Sequence, residues 1–288
     1  MTKILIAGCG YVGRRLLPML AGDERQTEMT AVVGSAVSQA SLQGRVATAL
    51  QIDLDQPVTL QLPEVAELYY FIPPPSQGDK DTRLPRFLDL MDPQILPRRI
   101  VMISTSGVYG DCAGEWVDES RPPAPQVDRA RRRLDAEQTM RAWCDRQGVE
   151  CIVLRVAGIY GPDRLPVARL QKGLPMVDEA EAPWSNRIHV DDLVMVCQAA
   201  MKSGEVGAVY NVSDGHPGNM TDYFNQVADM TGLPRPPVIR LADAQGRLSA
   251  GLLSYLRESR RLDNRKMLGI PGVLLRYPTL DAGLHASV

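Results

Sequence analysis

The chain opens Met1-Thr2-Lys3-Ile4-Leu5-Ile6-Ala7-Gly8-Cys9-Gly10-Tyr11-Val12-Gly13-Arg14-Arg15-Leu16-Leu17. Ile4–Ala7 is a short, continuously apolar run, as expected of a strand buried on both faces. Val12, Leu16, Leu17 and Leu20 then recur at helical spacing. Between the two lies a G-x-G-x-x-G pattern in the context its chemistry requires. Gly8 allows the tight turn, Gly10 lets a pyrophosphate approach the backbone, and Gly13 permits close helix–strand packing. The unpaired amides and positive end of the helix would face the phosphates. The competing reading is a purely structural strand-to-helix turn. On the phosphate reading, Gly8, Gly10, Tyr11, Val12, Gly13 and Arg14 are candidate contacts to a dinucleotide.

An NAD site of this type usually carries an acid about 20 residues further on, at the adenosine ribose. Here the second apolar run ends Val32-Val33-Gly34-Ser35 without a carboxylate. With Arg14 and Arg15 just past the third glycine, this leans slightly toward NADP, whose 2′-phosphate would favour Ser35 and a nearby arginine. The two arginines are equally readable as solvated helix residues. After the apparent third strand (48–52), Asp53-Leu54 offers an acid to the adenine amine, or simply a turn cap.

Working outward, apolar runs at Thr30–Val33, Leu68–Ile72, Ile100–Ile103 and Cys151–Val156 alternate with longer polar stretches, several with helical patterning. Leu134, Met140, Trp143 and Cys144 form a loose stripe on a long arginine-rich helix. Such alternation predicts an α/β fold, a Rossmann-type doubly wound parallel sheet. The region from Pro73 to Pro97 reads as loops around one short helix, with further breaks at Pro122–Pro125 and Pro234–Pro237. Beyond Gly161-Pro162 the alternation ends, which points to a second, smaller lobe built mainly from the later residues.

Composition excludes other classes. The 288 residues suggest about two domains. A net charge of −2 argues against a general nucleic-acid binder, and no apolar stretch approaches the ~20 residues that span a bilayer. The amino terminus lacks the apolar core of a secretion signal. Five scattered cysteines without a C-x-x-C pair, and only three histidines, suit a reducing cytoplasm and give no metal site.

Ligands of open α/β sheets bind at the carboxyl ends of the strands. There the sequence places Phe71-Ile72-Pro73, then Ser104-Thr105-Ser106-Gly107-Val108-Tyr109-Gly110, then Val156-Ala157-Gly158-Ile159-Tyr160-Gly161-Pro162. Asn186-Arg187-Ile188-His189-Val190-Asp191-Asp192 and Val209-Tyr210-Asn211-Val212 follow. In this order and spacing the blocks resemble the extended short-chain dehydrogenase/reductases, the NAD-dependent epimerase/dehydratase family, from Lys3 to about Leu284. The resemblance implies NAD(P) as cofactor, with Ile72, Pro73, Ala157, Gly158 and Ile159 among its contacts. It also implies a nucleotide domain of residues 1–162 and 189–212, and a substrate lobe of 163–188 and 213–288.

The resemblance makes Thr105 the family's catalytic Ser/Thr, with Ser106 beside it. It also exposes a departure: aligned through Leu134–Glu137, the family's catalytic tyrosine and lysine fall on Arg129 and Arg133. Arginine stays protonated and is a poor general acid or base. Arg133 could hold the nicotinamide ribose or steer an anion. The pattern is similar to the atypical branch that keeps the nucleotide site and loses the tyrosine. Tyr109 (as a catalytic substitute) and Tyr160 (as a substrate contact) are candidates at strand ends, with structural packing as the alternative for each. His189 reads as a structural helix start or a proton shuttle, and Asp191 and Asp192 as caps of a helix over Leu193–Met201. Arg187 is a candidate substrate contact, on a loop with Trp184 that should cross the pocket mouth. The Arg129–Arg133 run is either a solvated face or an anion-attracting wall.

Two functions follow as expectations. One is reductase or epimerase-like chemistry on a small polar substrate such as a nucleotide sugar. The other is a catalytically silent NADP(H) sensor. Partners are then the dinucleotide and a small molecule, with a homodimer through paired long helices as one arrangement.

Overall fold

A computed structural model describes residues 1–288. Its centre is a seven-stranded sheet built from β1 (Thr2–Ala7), β2 (Thr27–Val33), β3 (Thr48–Gln51), β4 (Glu67–Tyr70), β5 (Arg99–Thr105), β6 (Glu150–Val156) and β7 (Val209–Val212). The spatial order is β7-β6-β5-β4-β1-β2-β3 and every pairing is parallel. The order reverses between β1 and β4, so the switch point lies where Gly8 leaves β1. The doubly wound α/β architecture read from the alternation is the observed one.

Parallel strands need crossovers, and these place helices on both faces. One face carries α1 (Tyr11–Ala21) and α5 (Val190–Ser203); the other carries α3 (Arg83–Leu88) and α4 (Asp128–Gln147). Between β2 and β3 lies the short α2 (Ala36–Ala40). The alternation of β1 shows why both faces are covered. Ile4 and Ile6 pack with Leu16, Leu20 and Leu193, whereas Leu5 and Ala7 pack with Leu84, Phe87 and Met140. The stripe on α4 divides: Met140, Trp143 and Cys144 join the sheet, while Leu134 packs against a small cluster around Val108 and Tyr109.

The later residues form α6 (Met220–Thr231), α7 (Ala250–Tyr255) and α8 (Leu280–His285). Tyr160, Leu170, Phe224, Val227 and Leu284 make a separate small core. Not all of the carboxyl-terminal chain goes there. Met267 and Ile270 join the core of the main sheet, and Arg261–Leu262 pairs with Trp116–Val117.

The helix expected over Leu193–Met201 begins earlier, at Val190. Its N-cap is His189, whose Nδ1 accepts from the Asp191 amide at 3.2 Å. Asp191 and Asp192 are therefore first-turn residues rather than caps. Asp192 instead accepts from the amides of Arg276 and Tyr277 (2.7 and 3.0 Å), tying the carboxyl-terminal segment to α5.

Candidate active site

The turn after β1 is built around two glycines with different demands. Gly8 has φ +85°, and a Cβ there would stand 2.7 Å from the backbone of Phe71 and Ile72. Side chains rarely adopt this conformation, so the site requires glycine twice over. Gly13 packs on Ile6, 3.1 Å from where its Cβ would be. Gly10 is the N-cap of α1 and makes no such contact: only the Gly8 carbonyl lies within 4 Å. The amides of Tyr11, Val12 and Gly13 open α1 without a side-chain cap, leaving donors for an anion. These features fit a dinucleotide pyrophosphate.

Two cavities flank this turn. The first, about 340 Å³, brings together Gly8, Gly34, Asp53, Leu54, Ile72 and Pro73, five of which the sequence singled out for the cofactor. Asp53 does accept from the Asp55 amide as a turn cap (3.0 Å), and it also lines this cavity. Arg83, which sequence reasoning missed, clamps the rim: it holds Asp55 through two bonds of 2.8 and 2.6 Å and donates to the Pro73 carbonyl at 3.0 Å. Ser35 does not line the cavity. It is the N-cap of α2, accepting from the Ser38 amide. The Arg14 guanidinium turns back to the Cys9 carbonyl at 3.4 Å, and the Tyr11 hydroxyl donates to the Pro162 carbonyl at 2.8 Å.

The second cavity, about 630 Å³, lies at the carboxyl ends of β5 and β6, beneath the later residues of the chain. It gathers Thr105, Ser106, Arg133, Ala157, Gly158, Ile159 and Arg187, all candidates from the sequence. Thr105 ends β5 in an extended conformation, and its Oγ1 accepts from the Gly107 amide at 3.2 Å. That bond fixes the oxygen and leaves the hydroxyl proton to donate into the cavity.

The cavity is strongly basic. Arg129, Arg132, Arg133, Arg164, Arg187 and Arg260 line it, with Glu258 as the single carboxylate. Arg133 bonds within the chain only to the carbonyls of Ile103 (3.0 Å) and Ile72 (3.4 Å), at the ends of β5 and β4. Burial makes its charge costly and lowers its pKa. Arg187 lies 4.0 Å over the Tyr223 ring; burial lowers its pKa too, and its Nη2 has no partner. Arg129 stacks 4.1 Å over Tyr255, bonds to Ser254 Oγ and stands 4.0 Å from Glu258. The arginine run of α4 is thus not a uniform solvated face, because three of its members reach the cavity. Arg164, Tyr255, Glu258 and Arg260 were missed, since no motif or periodicity marks the segments that carry them.

Neither tyrosine proposed from the strand ends reaches this cavity. Tyr109 is buried beneath it, donating to Asn211 Oδ1 at 2.8 Å with Arg155 4.8 Å over its ring. Tyr160 points into the small core, edge-on to His189 and Tyr223, with its hydroxyl unbonded. Both side chains are apolar enough in body that burial in those cores prevails over exposure of one hydroxyl. His189 Nε2 meets Ser287 Oγ at 3.2 Å, also outside the cavity. Trp184 does stand at the cavity wall, half exposed.

The family model described as "NAD dependent epimerase/dehydratase family" matches residues 86–213, a stretch that contains Thr105, Arg129 and Arg133. A conserved protein of unknown function from Silicibacter pomeroyi superposes over 99% of this chain and 98% of its own, with 30% identity and a TM-score of 0.83. Over residues 86–213, a little under half of its length, the chain thus matches the NAD-dependent epimerase/dehydratase family. A dTDP-glucose 4,6-dehydratase of Streptomyces niveus is 31% identical over 130 residues, 41% of this chain and 37% of that protein. The chain spans about a third to just over half of the curated relatives it matches. The fold is shared with UDP-glucuronic acid 4-epimerase from Bacillus cereus, solved in complex with NAD (TM-score 0.78, 17% identity, 99% of this chain and 97% of that one). No helix is long and apolar enough to cross a membrane.

Proposed function

We propose that this chain is an NAD(P)-dependent enzyme acting on a nucleotide sugar, by oxidoreductase or epimerase-like chemistry. The supporting observation is the pairing of the two cavities. A glycine turn with a narrow adenosine-sized cleft lies on one side, and a basic cavity with the Thr105 hydroxyl lies on the other. NAD(P), when bound, supplies a hydride donor or acceptor. Gly8, Gly10 and Gly13 with the α1 amides would hold its phosphates, Asp53, Leu54, Ile72 and Pro73 its adenosine end, and Arg133, Ala157, Gly158 and Ile159 its nicotinamide end. Thr105 would donate to the reacting oxygen of the substrate, with Ser106 alongside, and Arg187 would contact the substrate's diphosphate. Residues 1–162 and 189–212 would act as the nucleotide unit, and most of the remainder as the substrate lobe.

The absence of a carboxylate at Gly34-Ser35 supports NADP over NAD. A cytoplasmic site of action suits the five unpaired, buried thiols. One observation favours a second reading, a silent NADP(H) sensor: arginines 129 and 133 occupy the wall where the resemblance places tyrosine and lysine.

Thermal melts with NAD+, NADH, NADP+ and NADPH test both readings. A ligand at 100 times its Kd stabilises by about 2.7 kcal/mol. A rise in Tm with at least one of the four is expected; no shift at millimolar nucleotide would overturn both. Nucleotide-dependent turnover with UDP- or dTDP-sugars then separates enzyme from sensor.

A further inference from the structure

Six arginines line the cavity beside Thr105, and four of them already donate to groups of the protein. Arg129 bonds to Ser254, Arg132 to the Gly78 carbonyl, Arg133 to the carbonyls of Ile72 and Ile103, and Arg260 to Gly110 and Glu258. The guanidiniums of Arg164 and Arg187 donate to none. Each lies instead on a ring face, Arg164 5.0 Å over Tyr11 and Arg187 4.0 Å over Tyr223. Such stacking orients a guanidinium while leaving its donors free. Arg187 suits the substrate diphosphate; Arg164 sits elsewhere, beside the glycine turn.

The loop that carries Arg164 is built onto that turn. Tyr11, the first residue of α1, donates its hydroxyl to the Pro162 carbonyl at 2.8 Å. Gly161 lets the two segments approach. Its φ is +150°, and a Cβ there would stand 2.8 Å from the Tyr11 oxygen and 2.7 Å from Val190 Cγ1. Asp163 then takes a left-handed φ of +64°, and the Arg164 amide turns back to the Gly161 carbonyl at 3.1 Å. The Tyr11 ring is shared by two cations. Arg15, 5.4 Å from it, is neutralised by Asp191 at 2.9 Å, whereas Arg164 forms no salt bridge, even with the adjacent Asp163.

We infer that Arg164 is a ligand of the dinucleotide's pyrophosphate, adding a guanidinium to the amides that open α1, and that Tyr11 positions it. The two kinds of donor are complementary. Backbone amides at a helix end supply neutral, fixed donors, and a guanidinium supplies a full charge and a fork that matches phosphate oxygens. This rests on the NAD(P) reading above and adds to it a residue about 150 positions away from the glycine pattern.

The test is calorimetric titration of the full chain with NAD+, NADP+, ADP-ribose and UDP. The first three carry the pyrophosphate in question, and UDP stands for the substrate's diphosphate. Arg164→Gln should weaken the first three by about tenfold or more, the scale for a hydrogen bond to a charged group, and change UDP by less than about threefold. Its melting temperature without ligand should match that of the natural protein, because the guanidinium bonds to no group of the chain. Arg164→Lys keeps the charge without the fork and should recover part of the loss. Tyr11→Leu should cost about threefold alone and nothing further in Arg164→Gln, as expected of a residue that acts through the arginine. Additive losses in that double variant would remove the positioning role. Affinity for the three pyrophosphates within about threefold of natural in Arg164→Gln overturns the inference and leaves the NAD(P) reading standing. A loss confined to UDP moves the arginine to the substrate and overturns it equally. Failure of the natural protein to bind any of the three overturns both.

Discussion

The carboxylate of Glu137 accepts from Arg155 through three contacts, Nη2 to Oε2 at 2.9 Å and Nε to Oε1 and Oε2 at 3.2 and 3.3 Å, and also accepts from the Ser104 hydroxyl. This joins α4 to β6 and to the residue before Thr105. Both charged side chains are almost fully buried (5% and 2% exposed). The pair thus anchors the helix that carries Arg133 and Arg129, one and two turns away from it. Removing one partner of such a pair leaves an uncompensated charge, at a cost of about 3–5 kcal/mol. Glu137→Gln should lower stability by that order in urea denaturation. A loss under about 1 kcal/mol would show that the pair does not hold α4 to the sheet.

The two glycines of the turn should separate folding from binding. Gly8→Ala places a Cβ against backbone at φ +85°, and should destabilise the fold by more than about 2 kcal/mol. Gly10→Ala meets nothing closer than 3.9 Å, and should fold normally while its nucleotide-dependent Tm shift is lost. If Gly10→Ala keeps the shift, the pyrophosphate does not pass over α1.

Thr105→Ala should reduce nucleotide-linked turnover about 100-fold, the scale for losing one donor to a developing oxyanion. Its melting temperature and nucleotide affinity should stay near those of the natural protein, because Oγ1 bonds only to the nearby Gly107 amide. A kcat within threefold of the natural value would remove Thr105 from the chemistry.

Asp214 gives a pH dependence of known sign. Burial raises its pKa from 3.8 to about 6, so the folded protein binds the proton more tightly than the unfolded chain. The stability this contributes is fully present below about pH 4 and is lost as pH rises through 6. Asp214→Asn keeps an oxygen for the His216 amide and abolishes the titration. Its stability relative to the natural protein should therefore improve between pH 4 and 7, by up to about 3 kcal/mol. A difference independent of pH would mean that Asp214 titrates normally.

What was legible in the sequence was local. Gly8–Gly13 between an apolar run and a helical stripe gave the strand, the turn and the helix, since each step involves neighbours in the chain. Thr105, Gly158 and Arg187 were legible because strand ends converge in any parallel sheet. Tyr109 and Tyr160 were misplaced for the converse reason: a strand end has two sides, and packing chooses between them. The contact of Tyr109 with Asn211 spans 102 residues, a distance over which the sequence carries no periodic signal.

The sequence by itself determined the doubly wound sheet, the glycine turn and the run of arginines between residues 129 and 133. Pattern suffices there because hydrophobic period and turn chemistry act over a few residues. Only the tertiary structure decided what those arginines face. Bringing α4, the end of β5 and the carboxyl-terminal segments around one cavity set six guanidiniums against a single carboxylate. Electrostatics depends on distance and burial in space, so the near-neutral chain of net charge −2 holds a basic cleft that no composition reveals.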